Sequence, residues 1–178
     1  MAKGGDWERD ICKFLSKWVN GTEKPYIFWR SGGSGGIFTT SEGMAGDQFA
    51  GDIYAVRPEG EPFCKKFSVE CKNGYPNVSF DKHFKYNKSD EFREFWIQTT
   101  EDAEKANKHP MLIYKKKGFR TPWVCITTDV YEMIKEWVQD IRRMHICWRN
   151  LPETVVFEMK EFFERVLPEV IEEDIWLK

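Results

Sequence analysis

Apolar residues recur at helical spacing in four parts of the chain. The first predicts an amphipathic helix over residues 6–19, with Asp6 as its N-cap. The others predict helices over residues 91–108, through residues 130–141 and through residues 162–171. The apolar positions of the first helix are Trp7, Ile11, Phe14, Leu15 and Trp18.

Short apolar runs between these helices predict strands. The runs are residues 26–29, 53–56, 67–71, 111–114, 123–126 and 155–157. The fourth and fifth runs enclose a lysine-rich turn that contains glycine, which predicts a β-hairpin. We therefore expect an α/β fold.

The run FSVECKN alternates between apolar and polar residues. A strand here places Glu70 and Lys72 on one charged face, and its apolar residues on a reverse face that joins the core. Asp52 begins the preceding apolar run, and a hairpin across the sequence RPEGEP would bring it beside them. A cluster of two carboxylates and a lysine suits a divalent metal and a water to be activated.

These residue types have distinct uses at such a site. Carboxylates hold a hard cation such as Mg²⁺, whereas Lys72 can orient an attacking water and offset negative charge in a transition state. A role for Lys72 as a base would require a lowered pKa. Glu-x-Lys is also common on solvated surfaces, and a second copy stands at Glu158 and Lys160. The Glu70 copy is favoured because an apolar strand that begins with Asp precedes it.

Two polar segments are candidates for contact with nucleic acid. Arg30, Ser31 and the glycine-rich residues 32–36 form a loop that can approach a DNA backbone closely, with a linker as the alternative. The sequence KHFKYNK interleaves lysines with aromatic residues, a combination that holds a strand through charge and stacking. Its lysines are Lys82, Lys85 and Lys88. An exposed connection with its aromatic rings in the core is the alternative, but its position directly after the Glu70 strand favours substrate contact.

Composition agrees with one intracellular domain of 178 residues. The net charge is −2, but residues 1–150 carry 24 Lys and Arg against 21 Asp and Glu, while residues 151–178 carry 3 against 8. The acidic balance belongs to the tail and argues against DNA contact there. No apolar run is long enough for a membrane span or a signal peptide. Five cysteines without Cys-x-x-Cys spacing and three isolated histidines predict reduced, mostly buried thiols and no zinc site.

The order of these features resembles the PD-(D/E)XK nuclease superfamily. The features are Gly-x-x-x-Glu-Arg on the first helix, a strand ending in Arg-Ser before a Ser-Gly-Gly loop, Gly-Asp-Ile at residues 51–53, and Val-Glu-Cys-Lys at residues 69–72. The opening helix and loop resemble most the archaeal-type Holliday junction resolvases and their virus-encoded relatives. The resemblance covers roughly residues 3–128 and implies a restriction-endonuclease-like core, a central mixed β-sheet flanked by helices. Residues 129–178 would be a C-terminal helical and acidic extension of the same single nuclease domain.

The resemblance also implies a metal site. Asp52, Glu70, the Cys71 carbonyl and Glu8 would hold Mg²⁺, for which Mn²⁺ can substitute, and Lys72 would serve the attacking water. Asp47 competes with Asp52 for this role, and Asp52 is preferred because it directly enters the apolar strand. Gly51 stands where many members of the superfamily have proline before the first acid.

Further residues are implied around that metal site. Ser34 would touch the substrate near the cut, and Gln98, on the helix after the catalytic strand, would support the site. Arg9, in the Glu-Arg pair of the first helix, would contact DNA together with Arg30 and Ser31.

The expected activity is metal-dependent DNA cleavage, with a four-way junction as the leading substrate. Two cuts on opposed strands require two sites, so a symmetric homodimer is expected. A nuclease of the same fold that acts on other DNA, either a restriction-type or a nicking enzyme, is the first alternative. A non-catalytic nucleic-acid-binding module is the second. The expected location is the cytoplasm, which for a virus-encoded enzyme is that of the host cell.

Overall fold

A mixed five-stranded sheet forms the centre of the computed structural model, which describes residues 3–31, 50–76, 78 and 91–172. The elements are α1 (Lys3–Asn20), β1 (Phe28–Arg30), β2 (Ile53–Ala55), α2 (Glu61–Lys66), β3 (Phe67–Tyr75), α3 (Glu91–Lys105), β4 (His109–Lys116), β5 (Trp123–Thr127), α4 (Thr128–Val138), β6 (Arg143–Ile146), β7 (Thr154–Glu158), α5 (Met159–Arg165) and α6 (Pro168–Glu172). The strand order is β3-β4-β5-β7-β6, in which β3 and β4 are parallel and the other pairs antiparallel. Strands β1 and β2 form a separate antiparallel ribbon. The expected α/β fold, with a mixed sheet and flanking helices, is confirmed.

Helices cover both faces of the sheet. Successive strand residues point to opposite sides, and the apolar residues on each side pack against helices. On one side, Val69 and Met111 share a core with residues of α1, α4 and α5. On the other side, Leu112 packs in a second core with Phe92 and Trp96 of α3. A polar side chain near the middle of β3 must therefore find its partners within the protein.

Helix α1 buries the predicted face but is longer at both ends than the predicted helix. The helix begins at Lys3, so Asp6 lies inside its first turn and the predicted N-cap is wrong. Ser16, also buried, fixes the helix to the ribbon, since its hydroxyl accepts hydrogen bonds from the main-chain N–H groups of Ile27 and Phe28. The predicted apolar positions are either buried or packed against the core: Trp7, Ile11, Phe14, Leu15 and Trp18.

A helical crossover connects β2 to β3, so the predicted hairpin across RPEGEP is wrong. Part of this sequence forms a 3₁₀ turn at Pro58–Gly60, and α2 follows directly. Proline suits the first turn of a helix, where its missing N–H would be unpaired anyway, so the prolines here begin helical turns. Strand β2 instead pairs with β1, and Gly51 bridges Val69 of β3 in parallel.

The C-terminal part contributes two strands to the main sheet. Strand β7 confirms the predicted strand and lies between β5 and β6, so residues before and after 128 share one sheet. The sequence pattern does not predict strand β6, because its four residues form no apolar run and include the exposed Arg143 and His145. The single helix predicted through residues 162–171 is instead two, since Pro168 disfavours a helical Leu167. Phe162 and Phe163 are buried core residues and offer no surface to a partner.

Other predictions from the sequence are confirmed. Strands β4 and β5 form the predicted antiparallel pair, and α3 and α4 lie in the predicted helical regions. All five cysteines are free, and only Cys147 is exposed. No helix among the described residues has the length and apolarity needed to cross a membrane.

Candidate active site

Glu70 and Lys72 lie on the face of β3 that α3 covers. Their parallel partners on β4, Leu112 and Tyr114, belong to the core on that side. The Lys72 Nζ lies 2.5 Å from Glu70 Oε1 and donates a hydrogen bond of 3.0 Å to the side-chain oxygen of Gln98. The predicted shared face is confirmed, but it is largely enclosed, since Glu70 is only 6 % exposed.

Asp52 joins β3 through both its main chain and its side chain. Its N–H donates to the Val69 carbonyl at 2.7 Å, and its Oδ2 accepts a hydrogen bond of 2.8 Å from the N–H of Cys71. Its own carbonyl accepts from the N–H of Ser31, which continues β1. At Asp52 the chain therefore leaves β3 and pairs with β1. The Asp52 carboxylate accepts the hydrogen bond from the Cys71 N–H that the Asp52 carbonyl would accept if the chain continued along β3.

Gly51 makes this approach to β3 possible. Its φ is +87°, and a Cβ at this position would lie 2.5 Å from the Val69 carbonyl oxygen and 2.7 Å from the Val69 nitrogen. Only glycine combines this backbone conformation with such a close contact. Proline, with φ fixed near −65°, cannot occupy this position in the observed conformation, which accounts for the departure from the proline of many superfamily members.

Glu8 reaches the region from α1 and is paired with Arg30 of β1. The Arg30 Nη1 lies 3.5 Å from Glu8 Oε2, and the Glu8 side chain is 18 % exposed. Gly5 leaves room for this arginine, because a Cβ there would lie 2.8 Å from Arg30 Nη1. Glu8 is close enough for its charge to raise the pKa of both Asp52 and Glu70.

Burial and nearby negative charges make the two carboxyl groups harder to ionise. Burial, followed by the charge of Glu70, raises the pKa of Asp52 to about 7, against the lowering effect of the hydrogen bond from Cys71. Burial likewise raises the pKa of Glu70, although the hydrogen bond from Lys72 acts in the opposite direction. A cation placed between these groups would relieve both effects.

Lys72 is held as a cation. Burial alone would lower its pKa, but the hydrogen bond and charge of Glu70, together with the charge of Asp52, outweigh burial and raise the pKa. Its ammonium also lies 5.5 Å from the centroid of the Phe95 ring, within range of a cation–π interaction. This protonation state suits electrostatic stabilisation and does not suit a general base.

The donor chemistry of the site fits a hard divalent cation. Asp52 and Glu70 supply carboxylate oxygens, which Mg²⁺ prefers. The Cys71 thiol is buried and burial raises its pKa, so a contribution from this residue would come from its carbonyl. Within the described ranges, however, no three His, Cys, Asp or Glu side chains are grouped closely enough to hold a metal. Lys72 pairs with Glu70, and Arg30 pairs with Glu8.

The remaining predicted site residues have different placements. Arg9 pairs with Asp6 at 2.5 Å on the exposed side of α1. The Ser31 hydroxyl donates to the Gly51 carbonyl at 2.8 Å and so stabilises the approach of Asp52. The other predicted residues, Ser34, Lys82, Lys85 and Lys88, and the competing acid Asp47 lie outside the described residues.

The structure adds residues that the sequence pattern did not single out. Asp102 lies one helical turn after Gln98 on α3, and its charge raises the pKa of Glu70. Helical spacing from Gln98 could have indicated it. At the end of β4, Lys115 lies beside Asn73 of β3, and its ammonium is 5.3 Å from the Trp7 ring centroid. This contact links the basic end of β4 to the start of α1, and only the tertiary fold reveals it.

Comparison with known proteins identifies a family for this chain. The family model described as "Phage putative PDDEXK endonuclease" matches residues 1–173. No match was found among curated proteins or among solved structures. The matched range includes α1, β3 and both C-terminal strands, so it extends well beyond residue 128. The chain therefore belongs to the phage PDDEXK endonuclease family.

Proposed function

We propose that this protein is a Mg²⁺-dependent DNA endonuclease that resolves four-way junctions by paired nicks. The observation that carries the proposal is the convergence of Asp52, Glu70 and Lys72 at one edge of β3. The family match supports nuclease activity. The order of Glu8, the Ser-Gly-Gly loop and these three residues supports the junction-resolving type, through its resemblance to archaeal-type resolvases.

The site residues would have separate roles at the cleaved phosphate. Asp52 and Glu70, with the Cys71 carbonyl and Glu8, would supply oxygen ligands for Mg²⁺ or Mn²⁺. When bound, such a cation neutralises charge on the phosphate and lowers the pKa of water. Lys72 stays charged, orients the attacking water and offsets charge in the transition state. Gln98 holds the Lys72 ammonium in one position.

DNA would extend from this edge over basic residues. Arg9 and Arg30 are near Glu8, and Lys115 lies at the end of β4 beside β3. Ser34 and the lysine-rich segment 82–88 are proposed to contribute further phosphate contacts. These contacts position the strand and supply the affinity that the net charge of −2 does not suggest.

Resolution of a junction requires a second site. Two cuts on opposed strands are made most simply by a symmetric homodimer, with one site per protomer. The buried aromatic residues of α5 belong to the core, so the dimer contact is proposed to lie elsewhere.

The test compares labelled four-way junction, linear duplex and single-stranded DNA, each with Mg²⁺ and with chelator. The proteins are the wild type, Glu70→Ala and Lys72→Ala, with Lys160→Ala as a matched control at an exposed lysine of α5. We expect junction cleavage only with metal, a loss of about 100-fold or more in both site variants, and wild-type rates for Lys160→Ala.

Each contrary outcome has its own meaning. Undiminished cleavage by both site variants would refute the proposed site. Equal rates on all three DNAs would refute the resolvase assignment, and a preference for linear duplex would indicate a restriction-type or nicking enzyme. DNA binding that survives chelation, without cleavage under any divalent metal, would indicate a binding module.

A further inference from the structure

The β1–β2 ribbon carries aromatic side chains on the face that turns away from α1. Phe28 and Arg30 point toward α1, whereas Trp29 and Tyr54 stand directly opposite each other on the other face. Tyr26 packs against Trp29, with ring centroids 5.5 Å apart. Trp29 is 38 % exposed, while its neighbour Phe28 is 0 % exposed. We refer to Tyr26, Trp29 and Tyr54 as the aromatic face.

The aromatic face lies close to the candidate active site along the chain. Asp52 precedes Tyr54 by two residues, whereas Arg30, which follows Trp29, lies on the opposite face of the ribbon and pairs with Glu8. At a strand rise of about 3.3 Å per residue, Asp52 and Tyr54 are about 7 Å apart along the chain. A base on the aromatic face would therefore lie near a phosphate bound at Asp52.

Positive charge flanks the aromatic face. The Lys24 ammonium lies 6.0 Å from the Tyr26 ring centroid, and the exposed Arg57 follows β2. Rings that can stack, with cations beside them, match a nucleic-acid strand, in which bases alternate with phosphates. A purely apolar partner would gain no electrostatic attraction from these cations.

We propose that the aromatic face stacks on an unpaired base of the DNA strand next to the cut. This inference rests on the proposed function and adds a preference for DNA with unpaired bases near the cleaved phosphate. A base within a continuous duplex has both faces covered by its neighbours. An aromatic side chain can therefore stack only on a base that is unpaired or lies at an interruption of the stack.

The test measures binding of a fluorescein-labelled oligo-dT to the full chain by anisotropy, in chelator so that cleavage plays no part. Trp29→Leu keeps an apolar side chain but removes the ring, and Trp29→Phe restores a ring. Tyr26→Leu tests the face at a second position, and Leu167→Ala removes an exposed apolar side chain on another surface. Circular dichroism of each variant reports its folding.

We expect Trp29→Leu to raise the dissociation constant about fivefold or more. Trp29→Phe should stay within about twofold of the wild type, and Leu167→Ala should equal it. Tyr26→Leu should show a smaller increase than Trp29→Leu, and it decides the matter if Trp29→Leu does not fold.

Three outcomes would overturn the inference. The first is wild-type binding by Trp29→Leu and Tyr26→Leu, and the second is an equal loss in Trp29→Phe and Trp29→Leu. The third is a change of mass by light scattering in Trp29→Leu with binding unchanged, because the face would then mediate self-association. Failure of the nuclease proposal itself appears separately, as undiminished cleavage by Glu70→Ala and Lys72→Ala.

Discussion

The same three-residue pattern, Glu-x-Lys, occurs twice in this protein in two different environments. At Glu70 the pattern lies within β3, and its carboxylate and ammonium meet 2.5 Å apart in a largely enclosed position. Glu158 is the last residue of β7. Its carboxylate caps α5 by accepting from the N–H of Glu161, while Lys160 pairs with Glu164 in solvent.

The difference lies in what surrounds each pattern. Strand β3 has Asp52 at its open edge and Gln98 above it, so the Glu70 pattern gains a second acid and an amide. The Glu158 copy begins a helix, which directs its two side chains to different partners. A chemical site therefore depends on the neighbours of a pattern more than on the pattern.

The largest expected effect compares the two glutamates by removing only their charge. Glu70→Gln should lower cleavage about 10²–10³-fold, because the proposed metal ligand, which is also the partner of Lys72, loses its charge. Glu158→Gln should cleave at the wild-type rate. Plasmid nicking in Mg²⁺ measures both, and calorimetric titration with Mn²⁺ without DNA should show weaker binding only for Glu70→Gln. Equal activity of the two variants would remove the distinction between the copies.

The next effect tests the approach of Asp52 to β3. Gly51→Ala should lower the free energy of unfolding by about 2–3 kcal/mol and reduce cleavage, since the new Cβ adds a main-chain clash to a strained φ. Gly118→Ala is the matched control, because Gly118 has a φ of +85° but open space around it. Its cost should be about 1 kcal/mol, from backbone strain alone. Urea unfolding measures both, and equal costs would argue against a tight contact at Val69.

A smaller effect concerns the charge of Asp52 in chelator. A carboxyl whose folded pKa is raised, here to about 7, contributes stability that is fully present below its unfolded pKa and is lost as pH rises through the folded value. Asp52→Asn keeps an acceptor for the Cys71 N–H but removes the charge. It should therefore stabilise the metal-free protein above pH 7 by on the order of 1–2 kcal/mol, with the gain shrinking as pH falls. Thermal unfolding across pH measures this, and a gain that is independent of pH would contradict it.

The smallest effect isolates the structural role of the second copy. Glu158→Ala should lower the free energy of unfolding by up to about 1 kcal/mol, because the helix loses its cap. Cleavage by this variant should not change. Chemical denaturation and plasmid nicking measure the two quantities, and a loss of cleavage in a folded Glu158→Ala would place this region in the site after all.

Local patterns predicted most of the elements, because apolar spacing reflects which side of each element is buried. The predictions failed where the pattern was short or ambiguous. The sequence RPEGEP indicates a turn, but proline is also common in the first turn of a helix. This segment forms a helical crossover. Strand β6 lacks an apolar run because two of its four residues face solvent.

Local sequence patterns predict only part of the candidate site. Alternation along FSVECKN correctly placed Glu70 and Lys72 on one face, since neighbours at two-residue spacing share a side of a strand. The family resemblance alone indicates that Gln98 supports the site, and its hydrogen bond with Lys72, 26 positions away, appears only in the structure. The sequence pattern correctly predicts that Asp52 lies beside β3, but it predicts this through a hairpin. In the structure, the chain at Gly51 instead runs parallel to β3 at Val69.

The sequence by itself determined the elements and the face that each residue occupies, because these follow from spacing within a few residues. The tertiary structure alone decided which of the two Glu-x-Lys copies is enclosed, which partners each charge has, and whether Lys72 is held as a cation. Those properties depend on groups brought together from distant parts of the chain: Asp52 through Gly51, Gln98 through α3, and Glu8 through α1. Burial and charge act through distance in space, and the order of residues along the chain does not specify that distance.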